Sequence, residues 1–358
     1  MTPPRFHRLT IRDVRRETPD AVSIAFDIPP ELRDAYAFEP GQYLTLRANL
    51  DGEEVRRSYS ISSGPYDGEL RIGVKRVENG VFSSFANEIL QTGHAIDVMT
   101  PTGRFGLLAR SETSRIYAGF AAGSGITPIL SIVRGILQRE PESRFFLFYG
   151  NRSTADMLFR TALEELKDRH LGRLSVFHVL SQEEQDIPVL NGRLDGARAR
   201  LLLTHVVPAS LVDDVFICGP LGMSEAVEAA CVELGVPPAR VHVERFVSEF
   251  GGKPRPKAPA PMPDAPSRRA ALIVDGKRRE VPVRDGEAIL DAALRAGLDL
   301  PYACKGGMCS TCRAKVVEGI VTMDVNYSLE PWEIEAGFVL TCQAHPTTGH
   351  VMIDYDQV

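Results

Sequence analysis

The stretch Pro301-Tyr-Ala-Cys-Lys-Gly-Gly-Met-Cys-Ser-Thr-Cys312 decides how the C-terminal part of this chain folds. Its three cysteines follow the spacing C-x4-C-x2-C, and a fourth cysteine follows thirty residues later. A short loop can wrap three thiolates around one end of a small inorganic core, while a distant strand supplies the fourth. This spacing is typical of a [2Fe–2S] cluster held by four thiolates. We therefore predict that the cluster ligands are Cys304, Cys309, Cys312 and Cys342.

The residues between these cysteines suit the same role. We expect Gly306 and Gly307 to adopt positive φ angles and to bring backbone N–H groups close to sulfur, since neither has a Cβ. Ser310 and Thr311 can add hydroxyl donors. Hydrogen bonds to the sulfurs stabilise added negative charge, so they raise the reduction potential of a cluster.

Two other uses of these cysteines fit the pattern less well. Structural zinc usually takes two C-x2-C pairs, whereas only Cys309 and Cys312 form one here. A disulfide framework belongs to secreted chains, and the N-terminus Met1–Arg8 lacks the apolar core of a secretion signal. The two remaining cysteines, Cys218 and Cys231, lie in apolar segments and are expected to be reduced core residues.

The composition limits the class of protein. A chain of 358 residues predicts two or three domains, and 44% apolar with 25% charged residues is typical of soluble globular proteins. The net charge of −6 argues against binding to nucleic acid, which requires a basic surface. The uncharged run between Arg115 and Arg134 is interrupted by glycines and Pro128. It therefore predicts a buried strand and helix rather than a membrane span, and we expect a cytoplasmic protein.

Residues 1–110 predict a small antiparallel β-barrel. Short segments with alternating apolar and polar residues are separated by glycine- and proline-containing turns, the pattern of an all-β unit. The clearest strands are expected at Ala21–Ile28, Tyr43–Arg47, Arg57–Ser62 and Leu70–Lys75.

Residues 111–248 predict an α/β unit with a doubly wound parallel sheet, because strands alternate with helices. The expected strands are Ile116–Ala122, Arg144–Tyr149, Leu174–Leu180, Asp214–Cys218 and Arg240–Arg245. The expected helices are Ile129–Gln138, one from Ser153 to about His170, and Met223–Leu234.

Residues 249–268 predict a linker, and residues 269–358 predict a β-grasp domain that carries the cluster loop. Six prolines between Gly251 and Pro266 favour an extended polyproline conformation. The β-grasp prediction rests on a hairpin, a crossing helix and two further strands, at Ala271–Val274, Arg279–Val283, Glu287–Leu298, Arg313–Val317 and Val351–Tyr355.

Two segments of the barrel predict a flavin site. In Arg57-Ser58-Tyr59-Ser60, the arginine can bind a pyrophosphate, the tyrosine can stack on an isoalloxazine and Ser60 can approach flavin N5. An ordinary exposed strand is the alternative. Gly80-Val81-Phe82-Ser83 opens an expected helix at Phe82–Leu90, whose first N–H groups form an anion site. The preceding residues Val74, Lys75 and Val77 are expected to line the flavin.

Two further segments predict a nicotinamide nucleotide site. In Gly123-Ser124-Gly125-Ile126-Thr127-Pro128, backbone amides can cradle a diphosphate, and Thr127 can reach the nicotinamide carboxamide. By itself this turn is also compatible with a tight strand-to-helix connection. Cys218-Gly219-Pro220 ends a later strand, at the carboxyl edge where doubly wound sheets bind ligands.

The end of the Arg144–Tyr149 strand predicts the coenzyme. Arg152, Ser153 and Arg160 suit a 2′-phosphate, and no acidic residue is expected at the strand tip because Asp156 is assigned to the helix interior. NADPH is therefore expected, with a solvated basic patch as the alternative.

Glu244 and Phe246, at the end of the last strand of the α/β unit, can cover the flavin face where nicotinamide enters, or can simply end the strand. The residues assigned catalytic roles are Tyr59, Ser60, Cys218 and Glu244.

Together these motifs resemble the ferredoxin–NADP reductase superfamily, in the order flavin domain, nucleotide domain and C-terminal plant-type ferredoxin. Within it, Asp291-Ala-Ala-Leu-Arg, Asn326-Tyr-Ser-Leu-Glu-Pro and Val339-Leu-Thr-Cys-Gln-Ala resemble the reductase subunits of multicomponent phenylacetyl-CoA epoxidases. The resemblance implies that NADPH reduces FAD, that single electrons pass to the cluster, and that the cluster reduces a separate di-iron oxygenase component in phenylacetate degradation.

Two other functions are compatible with the motifs. One is an NADH-linked reductase of another oxygenase, such as a ketosteroid hydroxylase or a ring-hydroxylating dioxygenase. The other is an electron carrier without nucleotide turnover, which the flavin and glycine-rich motifs disfavour.

The C-terminal stretch predicts a partner surface. Residues 316–358 contain no lysine or arginine, so their acidic residues form either a partner surface or a solvated face. Glu330, Glu333 and Glu335 are expected near the exposed edge of the cluster.

Overall fold

The computed structural model describes residues 4–106, 114–246 and 268–357, and these form two compact units. The larger unit takes Phe6–Val55 and Tyr59–Phe246, and the smaller is built on the C-terminal residues from 268 onward. The predicted linker, except for its last residue, and the predicted boundary at 110/111 lie outside the described residues.

The first part of the larger unit is a closed antiparallel barrel. Its strands are β1 (Phe6–Thr18), β2 (Ala21–Asp27), β3 (Tyr43–Leu50), β4 (Glu53–Ser60), β5 (Leu70–Lys75) and β6 (Ala95–Met99). They lie in the order β4-β3-β6-β1-β2-β5. The two ends of this sheet meet just beyond β4, where Ile61 pairs with Ile72 and the Ser62 amide donates to the Arg71 carbonyl over 2.8 Å. Helix α1 (Val81–Glu88) packs Phe82 and Ala86 into the barrel core.

The second part of the larger unit is a five-stranded parallel sheet. Its strands are β7 (Ile116–Ala122), β8 (Arg144–Asn151), β9 (Leu174–Leu180), β10 (Asp214–Gly219) and β11 (Val241–Arg245), in the order β11-β10-β7-β8-β9. Its helices are α2 (Ile126–Arg139), α3 (Arg160–Arg169), α4 (Gly196–His205) and α5 (Leu221–Glu233). One apolar core contains residues of α2 and α3, and a second contains residues of α4 and α5. The doubly wound prediction is confirmed, and the strand order reverses between β7 and β10, where such folds bind ligands.

The helix expected to begin at Ser153 is wrong in its first turns. Thr154–Asp156 form a single 3₁₀ turn, and α3 begins only at Arg160. Met157, Leu158 and Phe159 are all buried, and a continuous α-helix cannot pass through Phe159 because its backbone is left-handed. Phe159 takes a left-handed φ of 56°, and its amide donates to Glu17 Oε2 over 3.3 Å.

Polar contacts fix the barrel against the parallel sheet within this unit. Ser131 Oγ in α2 donates to the Ser63 carbonyl over 2.7 Å, and Arg139 Nη1 donates to Glu39 Oε2 over 2.7 Å. The close approach also requires a glycine in β5, because a Cβ at position 73 would lie 2.6 Å from Thr127 Cγ2. Tyr59, Ser60, the second flavin segment and the nucleotide motifs are therefore held in one compact unit.

The C-terminal unit has the predicted β-grasp fold. Its strands are β12 (Arg268–Val274), β13 (Lys277–Val283), β14 (Arg313–Glu318), β15 (Val321–Met323), β16 (Phe338–Leu340), β17 (Ala344–Pro346) and β18 (His350–Asp354). The main sheet has the order β13-β12-β18-β14-β16, with β12 and β18 parallel. Helix α6 (Ile289–Arg295) buries its apolar face against this sheet, and a short helix, α7 (Pro331–Glu335), precedes β16.

None of the helices in the described ranges combines the length and the hydropathy needed to cross a membrane.

Candidate functional site

The four predicted ligand cysteines come together as two pairs of thiols. The side chains of Cys304 and Cys309 are hydrogen-bonded to each other, as are those of Cys312 and Cys342, and no disulfide joins them. No three His, Cys, Asp or Glu side chains of the described ranges converge as they would around one ion. Two pairs of thiols instead fit a [2Fe–2S] cluster, in which two irons share four thiolates. Such a cluster supplies one-electron transfer when bound.

The loop that carries the first three cysteines directs hydrogen-bond donors at sulfur. The Gly306 amide lies 3.3 Å from Cys304 Sγ, and Thr311 Oγ1 donates to Cys309 Sγ over 3.2 Å. The Cys309 thiol and nearby backbone amides lower the pKa of Cys304, which favours the thiolate that iron requires. Gly307 has the expected positive φ of 75°, but Gly306 does not.

The other left-handed positions of the loop are Lys305 and Ser310, neither of which the glycine pattern indicated. The predicted Thr311 hydroxyl donor is present, whereas Ser310 serves as a turn residue.

Gln343 is a residue that the sequence reasoning missed. Its side chain is buried, and Nε2 donates both to the Lys305 carbonyl over 2.9 Å and to Cys342 Sγ over 3.4 Å. It therefore joins the fourth ligand to the loop of the first three. The available signal was a glutamine directly after a ligand cysteine in a largely apolar segment, since buried polar groups need partners.

A buried ion pair lies next to the cluster loop and shows that one part of the predicted partner surface is wrong. Arg313, directly after Cys312, places Nε 2.7 Å from Glu333 Oε1, and the two side chains are only 7% and 4% exposed. The expectation that Glu333 lies on an exposed acidic surface is therefore wrong. Glu330 and Glu335 are exposed.

The R-x-Y-S segment lies on the last residues of β4. Arg57 is exposed, the Tyr59 ring lies 5.8 Å from that of Phe82, and Ser60 is buried. This arrangement leaves a guanidinium available to a phosphate and puts an aromatic ring beside the start of α1.

The second flavin segment is a turn that leads into α1. Ser83 Oγ accepts from the Val77 amide over 3.0 Å and donates to the Gly80 carbonyl over 3.1 Å, so this hydroxyl shapes the turn. Val77 and Val81 are exposed.

Val74 and Lys75, at the end of β5, differ in burial: Val74 is buried and Lys75 is partly exposed. The Val74 side chain is fully buried in the barrel core, so only its backbone can line a ligand. Lys75 Nζ lies 3.5 Å from Asp20 Oδ2.

Three of the four residues assigned to catalysis converge from separate strands. Cys218 and Glu244 are paired on β10 and β11, and Ser60 of β4 is hydrogen-bonded to the Glu244 carboxyl. Burial raises the pKa of Glu244 to about 8, against the opposing effect of the hydrogen bond from Ser60. Burial and the nearby Glu244 raise the pKa of the Cys218 thiol well above its usual range.

Glu244 Oε2 is buried without a hydrogen-bond partner among the described residues. Such an orphaned acceptor fits a site completed by a bound group. When bound there, a flavin supplies the exchange between hydride and single electrons. Phe246 packs against the core of α2 and α3.

The glycine-rich turn and the Cys218-Gly219-Pro220 segment meet at the reversal of strand order. A Cβ at Gly125 would lie 2.1 Å from the Cys218 carbonyl oxygen, so only glycine permits this contact. Tyr149 Oη lies 3.2 Å from the Gly123 carbonyl and fixes the start of the turn. Thr127 is buried and donates to the Ser124 carbonyl over 2.8 Å, so its hydroxyl already serves the turn. Gly219 and Pro220 lead directly into α5.

The three residues predicted to bind a 2′-phosphate each contact a carboxylate. Arg152 Nη2 and Ser153 Oγ donate to Asp156 over 3.1 and 2.7 Å, and Arg160 Nε donates to Glu164 over 2.8 Å. The assignment of Asp156 to the helix interior is wrong, because this carboxylate lies in the turn beside the end of β8.

Comparison with known proteins covers almost the whole chain. Models of an oxidoreductase FAD-binding domain, an oxidoreductase NAD-binding domain and a 2Fe-2S iron-sulfur cluster binding domain match residues 8–106, 120–229 and 272–347. The chain is 46% identical over 352 residues to a subunit of the 1,2-phenylacetyl-CoA epoxidase of Escherichia coli, with 98% of each chain covered. It is 34% identical to the ferredoxin reductase component of 3-ketosteroid-9-alpha-monooxygenase from Rhodococcus rhodochrous, over 97% of this chain and 96% of that protein.

Phthalate dioxygenase reductase shows the same fold in a solved structure, with a TM-score of 0.59 and 23% identity over 98% of both chains. Sequence and fold agree on a flavin-binding, a nucleotide-binding and a cluster-binding domain in this order. The chain therefore belongs to the family of NAD(P)H-dependent, FAD- and [2Fe–2S]-containing electron-transfer reductases that includes this subunit of 1,2-phenylacetyl-CoA epoxidase, within the ferredoxin–NADP reductase superfamily.

Proposed function

We propose that this protein takes electrons from NADPH and passes them through FAD and the [2Fe–2S] cluster to the di-iron oxygenase component of a phenylacetyl-CoA epoxidase, in phenylacetate degradation. The observation that carries the proposal is the 46% identity to the Escherichia coli epoxidase subunit along 98% of both chains. We place the protein in the cytoplasm, where a reducing environment keeps ligand thiols free.

The site residues support this electron path. We assign the flavin to Arg57, Tyr59, Ser60 and the start of α1, and the nicotinamide nucleotide to Gly123–Gly125 and the end of β10. Glu244 and Cys218 lie where these two groups meet. For the exit of electrons we propose the surface around Glu330 and Glu335, because both are exposed and residues 316–358 carry no lysine or arginine.

NADPH is proposed because Arg152 and Ser153, just after β8, and Arg160, at the start of α3, supply donors. The positive charge of Arg160 also reaches Glu183, the carboxylate that binds Thr154 in the same turn. A phosphate in this region would therefore meet two guanidinium groups and a hydroxyl.

An NADH-linked reductase of another multicomponent oxygenase is the second candidate. Two observations favour it: the 34% identity to a 3-ketosteroid-9-alpha-monooxygenase component, and the Asp156 carboxylate beside Arg152 and Ser153. An acidic residue at this place is the usual partner of the NADH ribose.

Reconstitution tests the proposal. The purified holoprotein is combined in turn with the oxygenase components of a phenylacetyl-CoA epoxidase and of a 3-ketosteroid-9-alpha-monooxygenase, and substrate-dependent consumption of NADPH and NADH is measured. We expect coupled turnover with the epoxidase components and a lower KM for NADPH. Turnover with the ketosteroid components alone would refute the proposed partner. An Arg152→Ala variant whose KM for NADPH equals that of wild type would refute the coenzyme assignment.

A further inference from the structure

The turn after β8 presents its donors to a carboxylate of the same chain. Asp156 accepts from Arg152 Nη2 over 3.1 Å and from Ser153 Oγ over 2.7 Å. The carboxylate of Asp20, in the turn between β1 and β2, also lies within the field of Arg152. The guanidinium assigned to a 2′-phosphate is therefore already close to two negative charges.

A third acidic residue, Glu183, holds this turn in place. Glu183, just beyond β9, accepts from the Thr154 amide over 2.7 Å and from Thr154 Oγ1 over 2.8 Å. These hydrogen bonds lower the pKa of Glu183, so it stays ionised. The Gln182 amide donates to the Arg152 carbonyl over 2.8 Å, which ties the same turn to the neighbouring strand end. Hydrogen bonds between the loop after β8 and the loop after β9 thus hold Asp156 in place.

We propose that Asp156 is a specificity-determining residue that weakens the preference for NADPH over NADH. This role rests on the nucleotide site of the proposed function. A 2′-phosphate needs the donors of Arg152 and Ser153, yet it must displace Asp156 from them and it is repelled by that carboxylate. An unphosphorylated ribose presents hydroxyl donors, which a carboxylate accepts. Asp156 therefore penalises one coenzyme and stabilises the other.

The test is Asp156→Asn in the full-length holoprotein, because asparagine keeps the shape and an acceptor oxygen but removes the charge. Ferricyanide reduction gives kcat and KM for both coenzymes, and titration with 2′,5′-ADP and 5′-AMP gives binding without turnover. We expect the ratio of kcat/KM for NADPH to that for NADH to rise by about tenfold, through KM and with kcat little changed. We also expect 2′,5′-ADP to bind more tightly relative to 5′-AMP.

Glu165→Gln is the matched control, since it removes one negative charge from α3 at a residue whose ion-pair partner is Arg169. It should leave the coenzyme ratio at the wild-type value. Asp156→Ser provides a second variant if the asparagine protein binds flavin poorly. A coenzyme ratio within twofold of wild type in the flavin-loaded variant, or an equal change in Glu165→Gln, would overturn the inference.

Failure of the proposed coenzyme gives a different pattern. If wild type prefers NADH and Asp156→Asn still moves the ratio toward NADPH, the role of Asp156 stands while the NADPH assignment is refuted. If wild type prefers NADPH and the ratio does not move, the role of Asp156 alone is refuted.

Discussion

Replacing Glu333 by alanine should destabilise the C-terminal unit strongly, because it breaks a buried ion pair. Arg313 Nε and Glu333 Oε1 are 2.7 Å apart, and the two side chains are 7% and 4% exposed. Removing one partner of such a pair costs about 3–5 kcal/mol, since the other charge stays out of water without its counter-ion. Glu333 also accepts from the Glu330 amide in the capping box of α7, and loss of such a cap adds about 1 kcal/mol. Domains are stabilised by only about 5–15 kcal/mol, so this loss is a large fraction of the total.

The chain offers a local probe for this measurement. Trp332 is the single tryptophan of the protein and lies in α7 beside Glu333. Urea unfolding of the full-length protein followed by Trp332 fluorescence reports on the C-terminal unit, while flavin fluorescence reports on the larger one. We expect a midpoint shift equivalent to about 4–6 kcal/mol in the first signal and none in the second.

Two variants make the result interpretable. Glu335→Gln, on the exposed side of the same helix, should change the free energy of unfolding by less than about 0.5 kcal/mol. The double variant Arg313→Met, Glu333→Leu removes both charges and should regain most of the loss. If the free energy of unfolding of Glu333→Ala were within about 1 kcal/mol of the wild-type value, the conclusion that this ion pair is buried would be refuted.

Three further predictions concern the redox site. Cys309→Ser should abolish the visible absorption of the cluster but retain flavin and NADPH-dependent ferricyanide reduction, because serine is a poorer iron ligand; loss of flavin as well would contradict separate folding of the two units. Gln343→Leu removes a donor to Cys342 Sγ and should lower the reduction potential of the cluster by tens of millivolts, on the order of one weak hydrogen bond. The potential is measured by EPR-monitored redox titration. An unchanged potential would show that this donor does not act on the cluster. The pKa of Glu244 is raised to about 8, so its contribution to stability is fully present below about pH 4 and is lost as the pH rises through 8. Glu244→Gln should therefore flatten the decline in the free energy of unfolding between these pH values. An unchanged slope of the free energy against pH would assign the decline to another group.

The sequence by itself predicted the flavin-binding, nucleotide-binding and [2Fe–2S] domains and most of the fold. Cysteine spacing is a chemical requirement of the cluster, so it is visible without tertiary structure. The alternation of Leu70–Lys75 and the apolar run Ile116–Ala122 predicted β5 and β7 with the bounds that the structure shows, because side-chain periodicity is a local property of a strand. The order of the three domain types follows from those local patterns.

Tertiary packing decided what each acidic residue does. Glu333 and Glu335 look alike in the sequence, yet one is buried against Arg313 and the other is exposed. Asp156 lies beside Arg152 because the chain forms a 3₁₀ turn there and the left-handed backbone of Phe159 delays the expected helix until Arg160. Periodicity cannot show this, since a run of buried residues is also compatible with a helix in a core.

The proposed catalytic group depended most on the three-dimensional fold. Ser60, Cys218 and Glu244 are far apart in the chain, and they meet because a barrel strand closes on the carboxyl edge of two parallel strands. The shift in the pKa of Glu244 comes from its burial in that place and not from its sequence neighbours. Local sequence named these residues as candidates, and only the packing of distant strands made them one site, because burial and charge proximity are properties of the folded chain.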